Sequence, residues 1–463
     1  MPYLFLGYEG EALMVCDFHQ NLVKRLFLPF LDLKNRTNVL SCLNILERTQ
    51  WLKVKDLERL RQKRLRSLIK FSYENVPYYR RVFKKSGIRP EDIKTLDDLR
   101  KLPVLTKSDV RKNFNDLIAR NYPKSKVTLN STSGTTGEPL NFYLTKEQLS
   151  MDAAAGYRVT RWYGFDVGYK HALIWALPSG SSIKGKIVNF LMRQKILNSF
   201  KMSQGKIRKF AYELIKFKPD VLRGYGSAIY FFAQFIKKEE IKVNPKIVIT
   251  TGDGLMGYER QQIREIFECD VFDFYASREI SAIAAECPTH QGYHVTAENL
   301  ALEIVKDGEP VADGETGIVL ITNFNNYAMP FIRYCIGDLA KSSGEKCSCG
   351  RNLPLIESIE GRMSDVLVNA NGTYTASPSA HYVFKGLKIR QYQIIQEDYE
   401  QITIKIVKEK GFSERDIQSI LQRTREYLGP FKVNLEFVNS ILQEKSGKRR
   451  VIISRVPFKF IQS

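Results

Sequence analysis

Four short apolar runs dominate the middle of the chain: HALIWAL (171–177), DVLRGYG (220–226), KIVITTGD (246–253) and DVFDFYAS (270–277). Between them, SAIYFFAQFIKK and GYERQQIREIF carry the spacing of helices. Short runs apolar on both faces, alternating with helices, predict strands buried within a sheet. That alternation commits the region to α/β architecture. Residues up to about 125 read as mostly helical, punctuated by NVPYYR and LPVLTKSD. Beyond the alternation, ALEIV, TGIVLITNF and MPFIRY predict a more β-rich segment. From about Asp365 strands such as QITIKIV mix with the helix SERDIQSILQRTREYL, and the chain closes on VNLEFV and KRRVIISRV. That last pattern suits a small α+β domain, and 463 residues suit two or three domains.

Ahead of the first buried run stands STSGTTGEPL (131–140). Backbone N–H groups around glycines can turn inward together, and hydroxyls add donors. Ser131, Thr132, Ser133, Gly134, Thr135, Thr136 and Gly137 are therefore suited to a polyphosphate. No Gly-Lys-Ser/Thr closes the loop, so it is not a Walker loop; the alternative is a polar hairpin turn.

Charge points the same way. With 71 Lys+Arg against 50 Asp+Glu the net charge is +21, which favours anionic partners. Basic residues are densest at 55–70 and 444–450. In the first stretch Leu65, Leu68, Ile69, Ser72 and Val76 share one helical face. This predicts a core-facing helix with a solvated basic side; peripheral membrane contact is the alternative. No helix-turn-helix, RNP or finger pattern accompanies the charge, so no nucleic-acid partner is expected. No run of about 18 apolar residues predicts a membrane span. The opening MPYLFLGYEGEALMVCDF has acids where a signal peptide is basic. Seven cysteines in such a chain argue against a disulfide framework, and a cytoplasmic protein is expected.

STSGTTGEPL resembles the phosphate loop of the acyl-adenylate-forming superfamily, which includes acyl-CoA synthetases, peptide-synthetase adenylation domains and luciferases. More narrowly, the chain is similar to the phenylacetate–CoA ligase group, and most to its capsular polysaccharide biosynthesis, or CapK-like, branch. From NVPYYRRVF to the C-terminus the motifs LPVLTKSDV, KPDVLRGYG, TTGDGLM, FYASREISAIAAEC, MPFIRYCIGD, CSCGRNLP, EGRMSD and SGKRR follow in family order.

The resemblance implies an enzyme that joins a carboxylate to ATP, in the presence of Mg²⁺, as acyl-AMP. The acyl group then passes to a thiol (coenzyme A or a carrier-protein phosphopantetheine) or to a sugar amine or hydroxyl. The implied setting is capsule or exopolysaccharide biosynthesis. A nucleotide-binding accessory protein that has lost catalysis is the alternative.

By the same resemblance Lys448 contacts the carboxylate and the α-phosphate, and Glu279 holds Mg²⁺. Asp338 and Arg362 take the ribose. Gly252, Asp253 and Gly254 line the adenine pocket, where Tyr275 stacks, with Ala276 and Ser277 beside it. Arg278 stands where the superfamily usually has Thr or Ser, as in the CapK-like branch, and becomes a candidate partner for phosphate or substrate. The family's hinge position is Ser364, followed by Asp365. It divides an N-terminal adenylate-forming domain (1–363) from a small mobile lid domain (364–463) that carries the lysine. The acid itself is not legible; 157–165 is a candidate lining of its pocket, but Trp162 and Tyr163 suit core packing better.

One cysteine group stands apart. Cys347 and Cys349 flank Ser348, and upstream ECPTHQGYH offers Cys287, His290 and His294. Three thiolates and an imidazole would make a closed structural zinc site, with His294 preferred over His290 as fourth ligand. Reduced buried thiols are the alternative, since the C-x-C spacing is tighter than the usual C-x-x-C. Cys16, Cys42, Cys269 and Cys335 are expected to be ordinary thiols, and His171 a satisfied core residue.

Overall fold

The computed structural model describes residues 18–132, 140–175, 183–199, 202–255, 257–362, 366–368, 374–376, 383–384, 386–441 and 451–456. From Phe18 to Leu117 the described residues are mostly helical, as the pattern predicts. The basic helix Val54–Asn75 buries Leu57, Leu65, Leu68, Ile69 and Ser72. Its apolar face is thus spent on the core, leaving Lys55, Arg59, Lys63, Arg66 and Lys70 to solvent, while Arg61 is buried beside Glu58 and Arg64 donates to the Glu298 carbonyl.

A hairpin follows, β1 (Val127–Ser131) and β2 (Asn141–Thr145), and β2 runs directly into the helix Lys146–Trp162. The predicted buried strands are present as β3 (His171–Trp175), β5 (Val221–Tyr225), β6 (Ile247–Thr251) and β7 (Asp270–Tyr275), with β4 (Gln194–Asn198) at the flank. These five are parallel in the order β4-β3-β5-β6-β7. The helices Gln204–Phe217, Gly226–Lys238 and Gly257–Phe267 pack one face in a core with Leu222, Val248 and Val271. The opposite residues, Val221, Ile247, Ile249, Phe272 and Phe274, pack with the N-terminal helices and Lys146–Trp162. Both faces are covered, which is why these strands read as continuous apolar runs.

After β7 the same sheet turns antiparallel through β8 (Ala284–Glu286), β9 (Tyr293–Val295), β10 (Leu300–Lys306), β11 (Glu309–Pro310), β12 (Thr316–Asn323), β13 (Tyr334–Ser342) and β14 (Leu355–Arg362). The β-rich segment is therefore continuous with the α/β sheet.

Beyond it, β15 (Val366–Val368) pairs with β16 (Tyr374–Ala376). A separate four-stranded sheet combines β17 (Ile389–Gln396), β18 (Gln401–Lys408), β19 (Lys432–Phe437) and β20 (Ile452–Ser454) in the order β19-β18-β17-β20. The helix Glu414–Tyr427 closes its core through Ile420 against Ile394, Ile402, Ile404, Ile406 and Ile452. This is the α+β pattern expected of the C-terminal region; Ser364 and Asp365, where the division was expected, lie outside the described residues. Among the described residues no helix is long and apolar enough to cross a membrane.

Candidate active site

The carboxyl ends of parallel strands are where ligands bind in open α/β sheets, outside the point at which strand order reverses. Here β3 leads to β4 on one side, and β5 then pairs with β3 on the other. Trp175 ends β3, Tyr225 ends β5, and their rings stack at 5.1 Å across this reversal. Gly224 is required beside them, because a Cβ there would lie 2.5 Å from the Ile174 carbonyl.

Gly252, Asp253 and Gly254 follow the end of β6. Gly252 has φ +83°, which favours glycine. Asp253 Oδ2 accepts from the backbone and hydroxyl of Ser227, in the first turn of the helix Gly226–Lys238. An acid there meets unsatisfied N–H groups and the positive end of the helix dipole. Its Oδ1 is buried without a partner among the described residues, an acceptor left for a ligand.

Tyr275 ends β7 and is buried; its hydroxyl donates to Asp338 Oδ2 at 2.7 Å. Asp338 lies on β13 directly opposite Arg362 on β14, whose Nε is 3.7 Å from Oδ1. The three residues assigned to ribose and base therefore form one cluster. After Tyr275 the chain passes Ala276 and makes a tight turn. The Ser277 N–H donates to the Ile280 carbonyl, and the Ile280 N–H to the Ser277 hydroxyl. Arg278 and Glu279 ride on that turn, Arg278 exposed and Glu279 buried.

The Tyr334 hydroxyl donates to Glu279 Oε1 at 2.8 Å, while Gln148 holds the Glu279 carbonyl at 2.8 Å. Burial pushes the Tyr225 phenol up, with Arg278 opposing and Asp253 reinforcing, so both charges lie close to it.

The glycine loop falls between β1 and β2. Thr132 pins its base by donating its N–H to the Leu140 carbonyl and accepting the Leu140 N–H on its hydroxyl. Ser131 is exposed at the strand end. Ser133, Gly134, Thr135, Thr136 and Gly137 lie outside the described residues, as do Lys448 and Cys16.

The cysteine group is assembled by the antiparallel turn of the sheet. The ligand atoms of Cys287, His294, Cys347 and Cys349 all lie within 4.8 Å of one another. Cys287 and Cys347 sulfurs are 3.5 Å apart, and Cys349 Sγ is 3.3 Å from His294 Nε2. A tetrahedral zinc with bonds of about 2.3 Å would space its ligands by roughly 3.5–4 Å, so the set fits. His290 stands apart, stacked on Phe272 at 4.9 Å with Nδ1 facing Glu286. Burial, then the Arg351 charge, lowers His294 to about 4, and burial raises Cys287 to about 11.

Trp162 and Tyr163 serve the core. Trp162 donates to Gln50 at 2.8 Å, and Tyr163 stacks on Phe272 and donates to the Glu286 carbonyl. His171 is half-buried on β3 and lowered to about 4, by burial first and the Arg223 charge second. Sequence reasoning missed Tyr334, Gln148, Ser227 and Arg223. Tyr334 and Arg223 sit inside quoted motifs, but nothing in a linear run says which way their side chains reach.

Comparison with known proteins agrees. Residues 367–455 match the family model of the CapK C-terminal domain. A phenylacetate-coenzyme A ligase from Thermus thermophilus is 28% identical over 331 residues, 67% of this chain and 72% of the relative. Protein CapK from Staphylococcus aureus is 24% identical over 433 residues, covering 87% of this chain and 90% of CapK. A 2-hydroxyisobutyryl-CoA ligase, solved in its postadenylation state, shares the fold with a TM-score of 0.72 at 20% identity, covering 88% and 91% of the two chains. By these likenesses the chain is an ATP-dependent acyl-adenylate-forming ligase, homologous to the phenylacetate–coenzyme A ligases and to CapK.

Proposed function

We propose that this ligase activates a carboxylic acid as its acyl adenylate and passes the acyl group to a thiol, on coenzyme A or a phosphopantetheine arm. The observation that carries the reading is the pair of held carboxylates: Asp338, braced by Tyr275 and Arg362, and Glu279, braced by Tyr334. Asp338 accepts the ribose hydroxyls, a task for paired carboxylate lone pairs. Asp253 and Gly252 face the adenine edge, and the loop 131–137 cradles the β- and γ-phosphates.

A carboxylate oxygen of the acid attacks the α-phosphorus and pyrophosphate leaves. Lys448 offsets the repulsion between the two anions as they meet. Bound Mg²⁺ supplies charge neutralisation on the phosphate oxygens, and Glu279 is its protein ligand. In the second half-reaction the thiolate attacks the acyl carbon and AMP leaves. The C-terminal unit turns about Ser364 between the two steps, a position that only has to absorb a backbone change.

We place the enzyme in the cytoplasm, where ATP and reduced thiols are available. What supports a role in capsule or exopolysaccharide assembly is the likeness to CapK. A structural zinc at Cys287, His294, Cys347 and Cys349 is part of the same proposal. It is supported by the convergence of these four donors.

The test is carboxylate-dependent pyrophosphate release from ATP and Mg²⁺ across aromatic, fatty, amino, sugar and dicarboxylic acids. Release with at least one acid, followed by thioester formation, is expected. ATP binding without release for any acid would overturn the catalytic reading in favour of a nucleotide-binding accessory role.

A further inference from the structure

Below the Trp175–Tyr225 stack lies a charge that no described residue neutralises. Arg223 sits two residues before Tyr225 on the same face of β5, about 7 Å deeper by strand rise, in register with Leu173 of β3. Its guanidinium lies 4.7 Å over the Phe274 ring, and its Nη1 is 3.9 Å from where a Cβ on Gly156 would stand. The side chains whose charges bear on it are Tyr163 and Tyr157. Among the described residues no carboxylate pairs with it, and its buried Nε has no hydrogen-bond partner.

Other inward-facing arginines are treated differently. Arg158 has Glu298 at 2.6 Å, Arg260 has Glu286 at 2.9 Å, and Arg333 has Glu303 at 3.0 Å. An inward guanidinium without an acid is costly, so one held beneath the carboxyl ends of the strands, where strand order reverses, is best explained by an anion that arrives with the ligand. His171, on the same face of β3, is held largely neutral at about 4 and adds no second cation.

Resting on the adenylation reading above, we infer that Arg223 reads the far end of the acid. The preferred substrate carries a second carboxylate, remote from the one that is adenylated. The reacting carboxylate lies at the level of Tyr225, near Arg278. The carbon skeleton runs alongside the stacked rings of Trp175 and Tyr225 toward Phe274, and the second carboxylate meets the guanidinium fork below. Arginine suits this task because its planar donors match a carboxylate two-for-two.

The experiment compares matched acids in pyrophosphate release: adipate with hexanoate, glutarate with valerate, and 4-carboxyphenylacetate with phenylacetate. In the wild type at least one diacid should exceed its monoacid partner in kcat/KM by roughly a hundredfold, because the monoacid leaves the guanidinium unpaired. Arg223→Leu should collapse or reverse that ratio, and Arg223→Lys should retain part of it. ATP affinity of each variant reports whether it is folded; should Arg223→Leu not fold, the wild-type ratio and Arg223→Lys still decide the matter. Monoacids preferred throughout, or a ratio unmoved in a folded Arg223 variant, would overturn the inference and leave adenylation standing. No release with any acid would instead overturn adenylation, and the inference with it.

Discussion

Replacing Asp338 with alanine should weaken ATP binding by about two orders of magnitude. The carboxylate is positioned by the Tyr275 hydroxyl at 2.7 Å on Oδ2 and by Arg362 at 3.7 Å on Oδ1. In the proposed complex it accepts two ribose hydroxyls. Losing a charged acceptor costs about 1.5–3 kcal/mol per hydrogen bond, and paired bonds are not fully additive, so about 3 kcal/mol is the expected sum. At about 1.4 kcal/mol per tenfold, that is roughly a hundredfold in Kd.

The same substitution leaves the buried Tyr275 hydroxyl without its acceptor, at about 1–3 kcal/mol of stability. Asp338→Asn keeps an acceptor for Tyr275 and should retain more stability while still losing most of the affinity. Tyr275→Phe separates support from contact: the carboxylate remains beside Arg362, and affinity should fall only several-fold. Calorimetric titration with ATP and Mg²⁺, without any acid, measures all three, and thermal unfolding controls for folding. A folded Asp338→Ala protein with wild-type ATP affinity would refute the ribose assignment.

Three further outcomes are expected. Lys448→Ala should lower adenylation at least about a hundredfold while sparing ATP affinity, since the lysine acts on charge that develops at the α-phosphate. Undiminished pyrophosphate release would remove it from the catalytic role. Protein purified without chelator should contain one zinc per chain by elemental analysis, and Cys349→Ser should lose metal and lower Tm; a zinc-free wild type would leave only reduced thiols there. Burial raises the Asp152 carboxyl to about 7 from its ordinary 3.8, so the folded state holds a proton that the unfolded state releases. Its contribution to stability is present below about pH 4 and is lost as pH rises through 7, by up to a few kcal/mol. Denaturant titrations of wild type and Asp152→Asn should therefore diverge in the variant's favour between pH 5 and 8; parallel curves would show that Asp152 titrates normally.

The site was legible in the chain to the extent that its chemistry is carried by short-range pattern. Gly252 announces a left-handed backbone, and Asp338 and Arg362 each lie in a recognisable run. The braces were not legible. Tyr334 reaches Glu279 across 55 positions and Gln148 reaches it across 131, through a helix and a sheet that meet only after folding. The choice between His290 and His294 was likewise decided by the sheet. On β9, His294 pairs with Leu355 of β14, just past the Cys347 and Cys349 loop, while His290 lies beside Glu286.

By itself the sequence determined the α/β class, the buried strands, the basic helix with its core-facing side and the glycine loop, because each follows from periodicity or from a backbone requirement within a few residues. Only the tertiary structure decided that Asp338 leans on Tyr275, that four zinc-competent donors converge, and that Arg223 stands inward with no acid among the described residues. Burial and pairing are properties of neighbours, and neighbours far apart in the chain are set by how the sheet is ordered.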